Sequence, residues 1–280
     1  MRPKIGLVLG GGGCRGLAHV GVLSILEEEK IPIDLIVATS MGAIIGAQFA
    51  LGASVSEIKD HLKTIDTPSL FSLNIFSSKA RQKLLEKQLV AAFGDKSFTD
   101  LKISTAIMAV DMQNGKEVAL TTGKLVPAIL ASSAVPAIFD PVKHMGMQLA
   151  DGGVLDSVAT QPAYELGAEK VIVVDVNPTL RTTDIWEQPL AAITGYNIPF
   201  TNSRTSPGML SQLWRAYRIM EAYIHDERLK AYPPTILLTP EVDEWGSLDF
   251  SNIDMAIESG RKEALKHIEE LRELVGNSND

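Results

Sequence analysis

Three short stretches of the chain hold residue types that do chemistry together. The first is Gly10-Gly11-Gly12-Gly13-Cys14-Arg15-Gly16, between an apolar run and a helical period. Glycines let the backbone take positive φ and turn several N–H groups the same way. The helix that follows adds the positive end of its dipole. Such a loop binds an anion, either a phosphate or a developing oxyanion. The second stretch is Ala38-Thr39-Ser40-Met41-Gly42, where the run Leu35-Ile36-Val37 gives way to small residues of helical character. Strand, sharp turn, serine and helix is the setting of a nucleophile elbow. Ala38 and Gly42, two positions either side of the serine, leave the turn room to tighten. The plain alternative is that Ser40 only caps the helix starting at Met41. The third stretch is Asp151-Gly152-Gly153, after the apolar Met147, Leu149 and Ala150. Glycines after an aspartate permit a tight turn that presents the carboxylate. The same dipeptide also serves in ordinary turns between strands.

The spacing Gly11-x-Gly13-x-x-Gly16 matches a dinucleotide fingerprint to the letter. That fingerprint also needs an acidic residue about 20 positions on, ending the second strand. Here the strand ends in Ala38-Thr39-Ser40, and Asp34 stands at its start. A P-loop fails as well, because Leu17 follows Gly16 in place of Lys-Ser/Thr. The nucleotide reading loses most of its weight, although a nucleotide-binding enzyme using the glycine loop stays among the alternatives.

Together, and in this order, the three stretches resemble the patatin-like phospholipase family. That family is described by a Gly-Gly-Gly-x-Arg/Lys-Gly oxyanion loop, a Gly-x-Ser-x-Gly elbow and an Asp-Gly-Gly/Ala motif. Here these read Gly11-Gly12-Gly13-Cys14-Arg15-Gly16, Ala38-Thr39-Ser40-Met41-Gly42 and Asp151-Gly152-Gly153. Ala38 stands where the family has its first elbow glycine. The segments from Ala131 to Phe139 and Leu166-Gly167-Ala168 are similar to family segments too. The resemblance covers Lys4 to Pro178 and is greatest to short bacterial members without further domains.

The resemblance implies one α/β domain over residues 1–280, with a central, mostly parallel β-sheet flanked by helices. It implies a Ser–Asp dyad, with Ser40 attacking an acyl carbonyl and Asp151 taking the hydroxyl proton. The oxyanion donors would be the N–H groups of Gly11, Gly12 and Gly13, joined by Met41. Arg15 and Gly16 would support the loop. Arg15 has two further readings, attraction of an anionic head group or a surface pair with a carboxylate. His19 is read as packing or loop support, and His61, His144, His225 and His267 as surface residues. No metal or organic cofactor is implied.

The elements that must position these residues follow from periodicity. Ile5–Leu9, Ile33–Thr39, Lys102–Val110, Lys116–Thr121, Val171–Val176 and Thr235–Leu238 read as strands. Leu17–Glu29, Met41–Leu51, Val55–Leu62, Ser78–Phe93, Pro127–Ser132, Met209–Leu229 and Asp254–Val275 read as helices, the last with Gly276 as its C-cap. Strands alternating with helices point to a parallel sheet covered on both faces. Asn177 to Gly208 is long, polar and rich in proline, as a lid, a mobile loop or a missed element would be. Leu210, Leu213, Trp214, Tyr217, Met220 and Ile224 form an apolar stripe, expected to face the core, with a lid or membrane-facing surface as the alternative. Phe71, Leu73, Ile75 and Phe76 make a second apolar patch, for lipid access or for docking on the adjacent helix.

Composition narrows the class. The chain has 280 residues, 45% of them hydrophobic and 21% charged, an ordinary globular balance. Its net charge is −8, a poor basis for binding nucleic acid. A single cysteine, Cys14, excludes an intrachain disulfide and a cysteine-rich zinc site, and fits a reducing compartment. Met41 to Ala53 is too short to span a bilayer and is broken by Gln48. The N-terminus shows no signal-peptide pattern. The expectation is a cytoplasmic serine acyl-ester hydrolase of phospholipase A, lysophospholipase or esterase type. Its partner is a lipid or acyl-ester substrate, met by peripheral contact at the inner face of a membrane. A non-catalytic lipid- or protein-binding regulator on the same fold is the alternative. The oligomeric state is left open.

Overall fold

The computed structural model describes residues 2–64, 77–136, 138–177, 209–242, 250 and 253–275. The expected lid segment, apart from Asn177, lies outside them, as do the Phe71–Phe76 patch and Gly276. The first strand, β1 (Ile5–Leu9), is buried along its whole length, which is how a strand covered on both faces must read. It pairs in parallel with β2 (Leu35–Thr39) on one side and β7 (Lys170–Val174) on the other. Beyond β2 lies β3 (Ser104–Asp111), and beyond β7 lies β8 (Ile236–Leu238), both parallel to their neighbours. The other strands, β4 (Lys116–Leu120), β5 (Val142–His144) and β6 (Met147–Asp151), join antiparallel at the β3 side. The sheet order is β5-β6-β3-β2-β1-β7-β8, with β4 on β3. The chain therefore runs outward from β1 to β3 and returns to the other side of β1 as β7. That reversal opens a crevice at the carboxyl ends of the strands, where open α/β sheets hold their ligands.

Helices cover both faces. On the larger side, α1 (Ala18–Glu28), α2 (Met41–Leu51), α3 (Val55–Thr64), α4 (Ser78–Phe93) and α5 (Leu125–Ser132) bury one continuous apolar core. On the other side, α6 (Thr160–Glu165) closes a smaller core of Val8, Val37, Met108, Val158, Val171 and Val173. Leu229, near the end of α7 (Met209–Ala231), packs against it. The chain closes with α8 (Ile253–Lys266) and α9 (Ile268–Val275). α1 and α8 touch backbone to backbone. A methyl group on Gly21 would meet the Ile257 carbonyl oxygen at 1.9 Å, and one on Gly260 would meet that of Ala18 at 1.9 Å. No helix among the described residues is long and apolar enough to cross a membrane.

Two elements differ from the sequence expectation. The hairpin β5–β6 was not foreseen as a strand pair. Its turn, Met145-Gly146, takes φ of 50° and 80°, the left-handed pair that a two-residue hairpin needs. A methionine at the first turn position hides that signal, which asparagine or aspartate would have shown. The closing helix is interrupted at His267, so α8 and α9 are separate. The apolar stripe on α7 is also placed differently. Leu213 and Met220 are 60% and 56% exposed, with Ile219 and Tyr223 beside them in solvent. The face turned inward carries Tyr217, Arg218, Glu221, His225 and Arg228, all partly buried.

Candidate active site

The glycine loop leaves the end of β1 and is held on both flanks. Gly10 donates its N–H to the Val174 carbonyl at 3.1 Å, and Gly11 donates to that of Ser157 at 2.9 Å. The Gly11 N–H is thus already engaged, which corrects its expected place among the oxyanion donors. The N–H groups of Gly12, Gly13 and Met41 make no hydrogen bond to a described residue. Gly13 has φ of 60° and starts a 3-10 turn, Gly13–Leu17, that holds Arg15 and Gly16 and runs into α1. His19, fully buried in the first turn of α1, lies with Nε2 at 2.8 Å from the Gly10 carbonyl oxygen. Burial pushes its pKa down to about 4, so the ring is neutral near pH 7 and its Nε2–H donates to the loop. Arg15 is 9% exposed, not a surface residue, and its charge reaches Glu221 on α7.

Ser40 sits at the end of β2 with φ 55° and ψ −120°. A non-glycine residue there stores strain of roughly 1–3 kcal/mol, which the surrounding structure must hold. Its N–H donates to Ser132 Oγ at 2.8 Å, and its carbonyl accepts from Ala43 and Ile44. The side chain makes no capping bond to α2. It stands instead beside Asp151, whose ionised form it favours. The capping alternative for Ser40 therefore falls away. Gly42 lets α2 start against the glycine loop, since a methyl there would lie 2.2 Å from the Leu9 carbonyl oxygen. Ala38, opposite Leu9 and Ile107 in the sheet, fills the position where the elbow pattern has its first glycine.

Asp151 ends β6 and is 5% exposed. The Gly153 N–H donates to its Oδ1 at 2.8 Å, which is the bond the two following glycines make possible. Burial drives its pKa up to about 6; the bonds from Ser40 and Gly153 pull the other way, and the charge of Glu221 adds to the rise. The Asp151 N–H donates to the Ala134 carbonyl at 3.0 Å. The end of α5 and the residues just after it thus hold both residues by their backbone N–H groups, Ser40 through Ser132 and Asp151 through Ala134. The sequence marked this segment as similar to the family but gave it no task.

α7 lies over these groups. Glu221 accepts from Arg218 at 2.6 Å, and burial raises its pKa although Arg218, His225 and Arg15 oppose the rise. Burial also pushes the Tyr217 hydroxyl up, and the charges of Glu221 and Asp151 push it further. His225 is not on the surface as expected. Its Nε2 lies 2.9 Å from Asp175 Oδ2, and its side chain is 13% exposed. Burial pulls the imidazole down, but bonded Asp175, with Asp156 and Asp226, leaves its pKa raised. The polar residues of α7 were missed because its apolar residues give the stronger periodic signal.

A cavity of about 200 Å³ opens beside Gly13 and Ser40. It runs along the face of α2 that carries Met41, Ile44 and Gln48. Leu85 and Leu89 of α4, with Ile138 and Phe139, form its other wall. A serine hydroxyl beside a buried carboxylate, neighbouring N–H groups with no bond to a described residue and an apolar cavity leading away are the parts needed to cleave an acyl ester.

Known proteins match this arrangement. Residues 7–164 match the family model described as patatin-like phospholipase. The chain is 27% identical over 283 residues to lysophospholipase NTE1 of Pyricularia oryzae, covering 96% of this chain and 19% of that protein. It is 29% identical over 281 residues to lysophospholipase nte1 of Aspergillus terreus, covering 96% of this chain and 18% of that one. The chain therefore spans about a fifth of the length of these curated relatives. Among solved structures, VipD from Legionella pneumophila superposes with a TM-score of 0.57 at 13% identity, over 96% of this chain and 67% of that one. ExoU in its complex with SpcU from Pseudomonas aeruginosa superposes with a TM-score of 0.50 at 14% identity, over 97% of this chain and 52% of that one. At such identities the likeness speaks to the fold alone.

Proposed function

Because the chain belongs to the patatin-like phospholipase family, we propose that it is a serine hydrolase of lipid acyl esters. The observation that carries this reading is strained Ser40 set beside the buried carboxylate of Asp151. Ser40 Oγ attacks the acyl carbonyl carbon while Asp151 accepts the hydroxyl proton. The carbonyl oxygen, now an anion, is held by the N–H groups of Gly12, Gly13 and Met41. Such donors each contribute about 2.7–4 kcal/mol to the transition state. Asp151 returns the proton to the departing alcohol. Water then attacks the acyl-serine ester as it gives a proton to Asp151; the carboxylic acid leaves and Asp151 returns that proton to Ser40 Oγ. The acyl chain lies in the apolar cavity along α2. The relatives named lysophospholipase support a single-chain phospholipid as substrate.

The test is hydrolysis of p-nitrophenyl acyl esters together with labelling by a fluorophosphonate. Turnover and one-to-one labelling of the wild type, both absent in Ser40→Ala, are expected. A folded wild type that neither turns over nor labels would overturn the reading in favour of a binding protein on the same fold.

A further inference from the structure

A series of polar contacts leads from α7 to the glycine loop. His225 Nε2 lies 2.9 Å from Asp175 Oδ2 as an ion-pair contact. The other oxygen, Asp175 Oδ1, accepts from the backbone N–H of Asn177 at 2.9 Å and from its Nδ2 at 2.8 Å. Asn177 Nδ2 also donates to Ser157 Oγ at 2.7 Å. Ser157 in turn accepts the Gly11 N–H on its carbonyl at 2.9 Å. One residue before Asp175, the Val174 carbonyl accepts the Gly10 N–H. The end of β7 and the segment after Asp151 thus hold the loop from which Gly12 and Gly13 present their free N–H groups.

The His225 contact is the link between this cradle and the helix covering the site. We infer that His225 and Asp175 are positioning residues for the reaction proposed above: they tie α7 to the glycine loop and fix where its donors point. The inference rests on that reading of the site. It assigns the polar residues of α7 a task. Neither residue touches the reacting atoms.

The charged groups around the imidazole favour its protonated form. Asp175 faces it from the end of β7 and Asp156 from the segment after β6. Glu221 and Asp226 flank it on α7, and Arg228, one turn on, is the opposing cation, 4.0 Å from Asp156 and 2.7 Å from Glu117. When His225 loses its proton, the pair weakens from an ion pair to a hydrogen bond onto a lone carboxylate. The loop's donors are then held less firmly, and turnover falls at alkaline pH.

The experiment compares wild type, His225→Leu and His225→Gln in ester turnover and in the rate of Ser40 labelling, across pH. His225→Leu should lower kcat and the labelling rate at least about tenfold, with KM little changed, because a misplaced donor costs the transition state and not ground-state binding. His225→Gln keeps a donor for Asp175. It should exceed His225→Leu, hold the rate of the alkaline wild type at every pH and lack the alkaline fall, since an amide does not titrate. Asp175→Asn serves as a second variant if His225→Leu does not keep its circular dichroism spectrum, and the same loss of kcat is expected. A His225→Leu chain that labels at the wild-type rate would overturn the inference while leaving the site reading intact. So would a glutamine variant no better than leucine. A wild type that does not label at all would remove both.

Discussion

Ser40 and Asp151 meet although they arrive on strands of opposite direction. Ser40 follows β2, which is parallel to β3, with Thr39 opposite Met108. Asp151 ends β6, which is antiparallel to β3, with Asp151 opposite Ala109. Consecutive residues of one strand, Met108 and Ala109, therefore set the level of both groups. The tie at the end of α5 completes the alignment. His19, the histidine nearest in sequence, bonds the glycine loop.

A shared task of this kind predicts non-additive losses. Ser40→Ala and Asp151→Asn should each lower kcat by at least about a thousandfold, and the double variant should be little worse than either. The measurement is ester turnover in variants whose circular dichroism matches the wild type. If the two losses multiply, the residues act independently and the dyad is wrong.

The pH dependence follows from Asp151. It accepts the Ser40 proton only when ionised, and burial moves its pKa up to about 6. Activity should rise through about pH 6, an ordinary aspartate having done so near 3.8. Stability responds with the opposite sign. The folded protein holds this proton more tightly than the unfolded chain does. That contribution is present below 3.8 and is lost as pH rises through about 6, a difference of about 3 kcal/mol. Asp151→Asn, which has no charge to bury, should therefore melt above the wild type at pH 8 and close to it at pH 4. Equal melting temperatures at pH 8 would show that Asp151 is not held in a strained ionised form.

Most of this arrangement is visible in the residues, and the exceptions have physical causes. The runs Ile5–Leu9 and Leu35–Thr39 read as buried strands because parallel strands must be apolar on both faces. Ser40 and Asp151 stood out by their glycine and small-residue neighbours, which tight turns require. The state of Gly11 was not legible, because its N–H partner, Ser157, is distant in sequence and bonds through a backbone carbonyl that any residue could supply. The same holds for Ser132, whose hydroxyl accepts the Ser40 N–H. The orientation of α7 was misread for a different reason. Periodicity shows that a helix has two faces but not which one turns inward. Here buried pairs such as His225 with Asp175 and Arg218 with Glu221 decide it against the apolar stripe.

The crossing of α1 and α8 predicts where the fold cannot accept a methyl group. Gly21→Ala and Gly260→Ala each drive a carbon onto a backbone oxygen, Ile257 in one case and Ala18 in the other. The helices must separate to relieve it, uncovering the core that they share. Each change should cost at least about 2 kcal/mol, in the range typical of overpacked cores. Chemical denaturation measures this directly. Gly115→Ala is the control for glycine loss at a site with open space around it, although its φ of 62° adds a local cost. A loss no larger than the control's would mean that the helices are not in backbone contact.

The cavity predicts a limit on acyl length. Ser40 and Gln48 bound it along α2, eight residues or about 12 Å of helix apart. An extended chain advances about 1.2 Å per bond, so roughly ten carbons fit between the nucleophile and Gln48. Turnover of p-nitrophenyl esters should climb with chain length to that size and then level off. Ile44 lies one turn beyond Ser40 on the same wall. Ile44→Trp should fill the cavity there, lowering kcat/KM for the decanoyl ester more than about tenfold and leaving the butyryl ester within about threefold. The ratio of the two esters isolates the pocket from any general loss of stability, which would lower both alike. A ratio unchanged in an Ile44→Trp variant that melts with the wild type would show that the acyl group does not lie in this cavity.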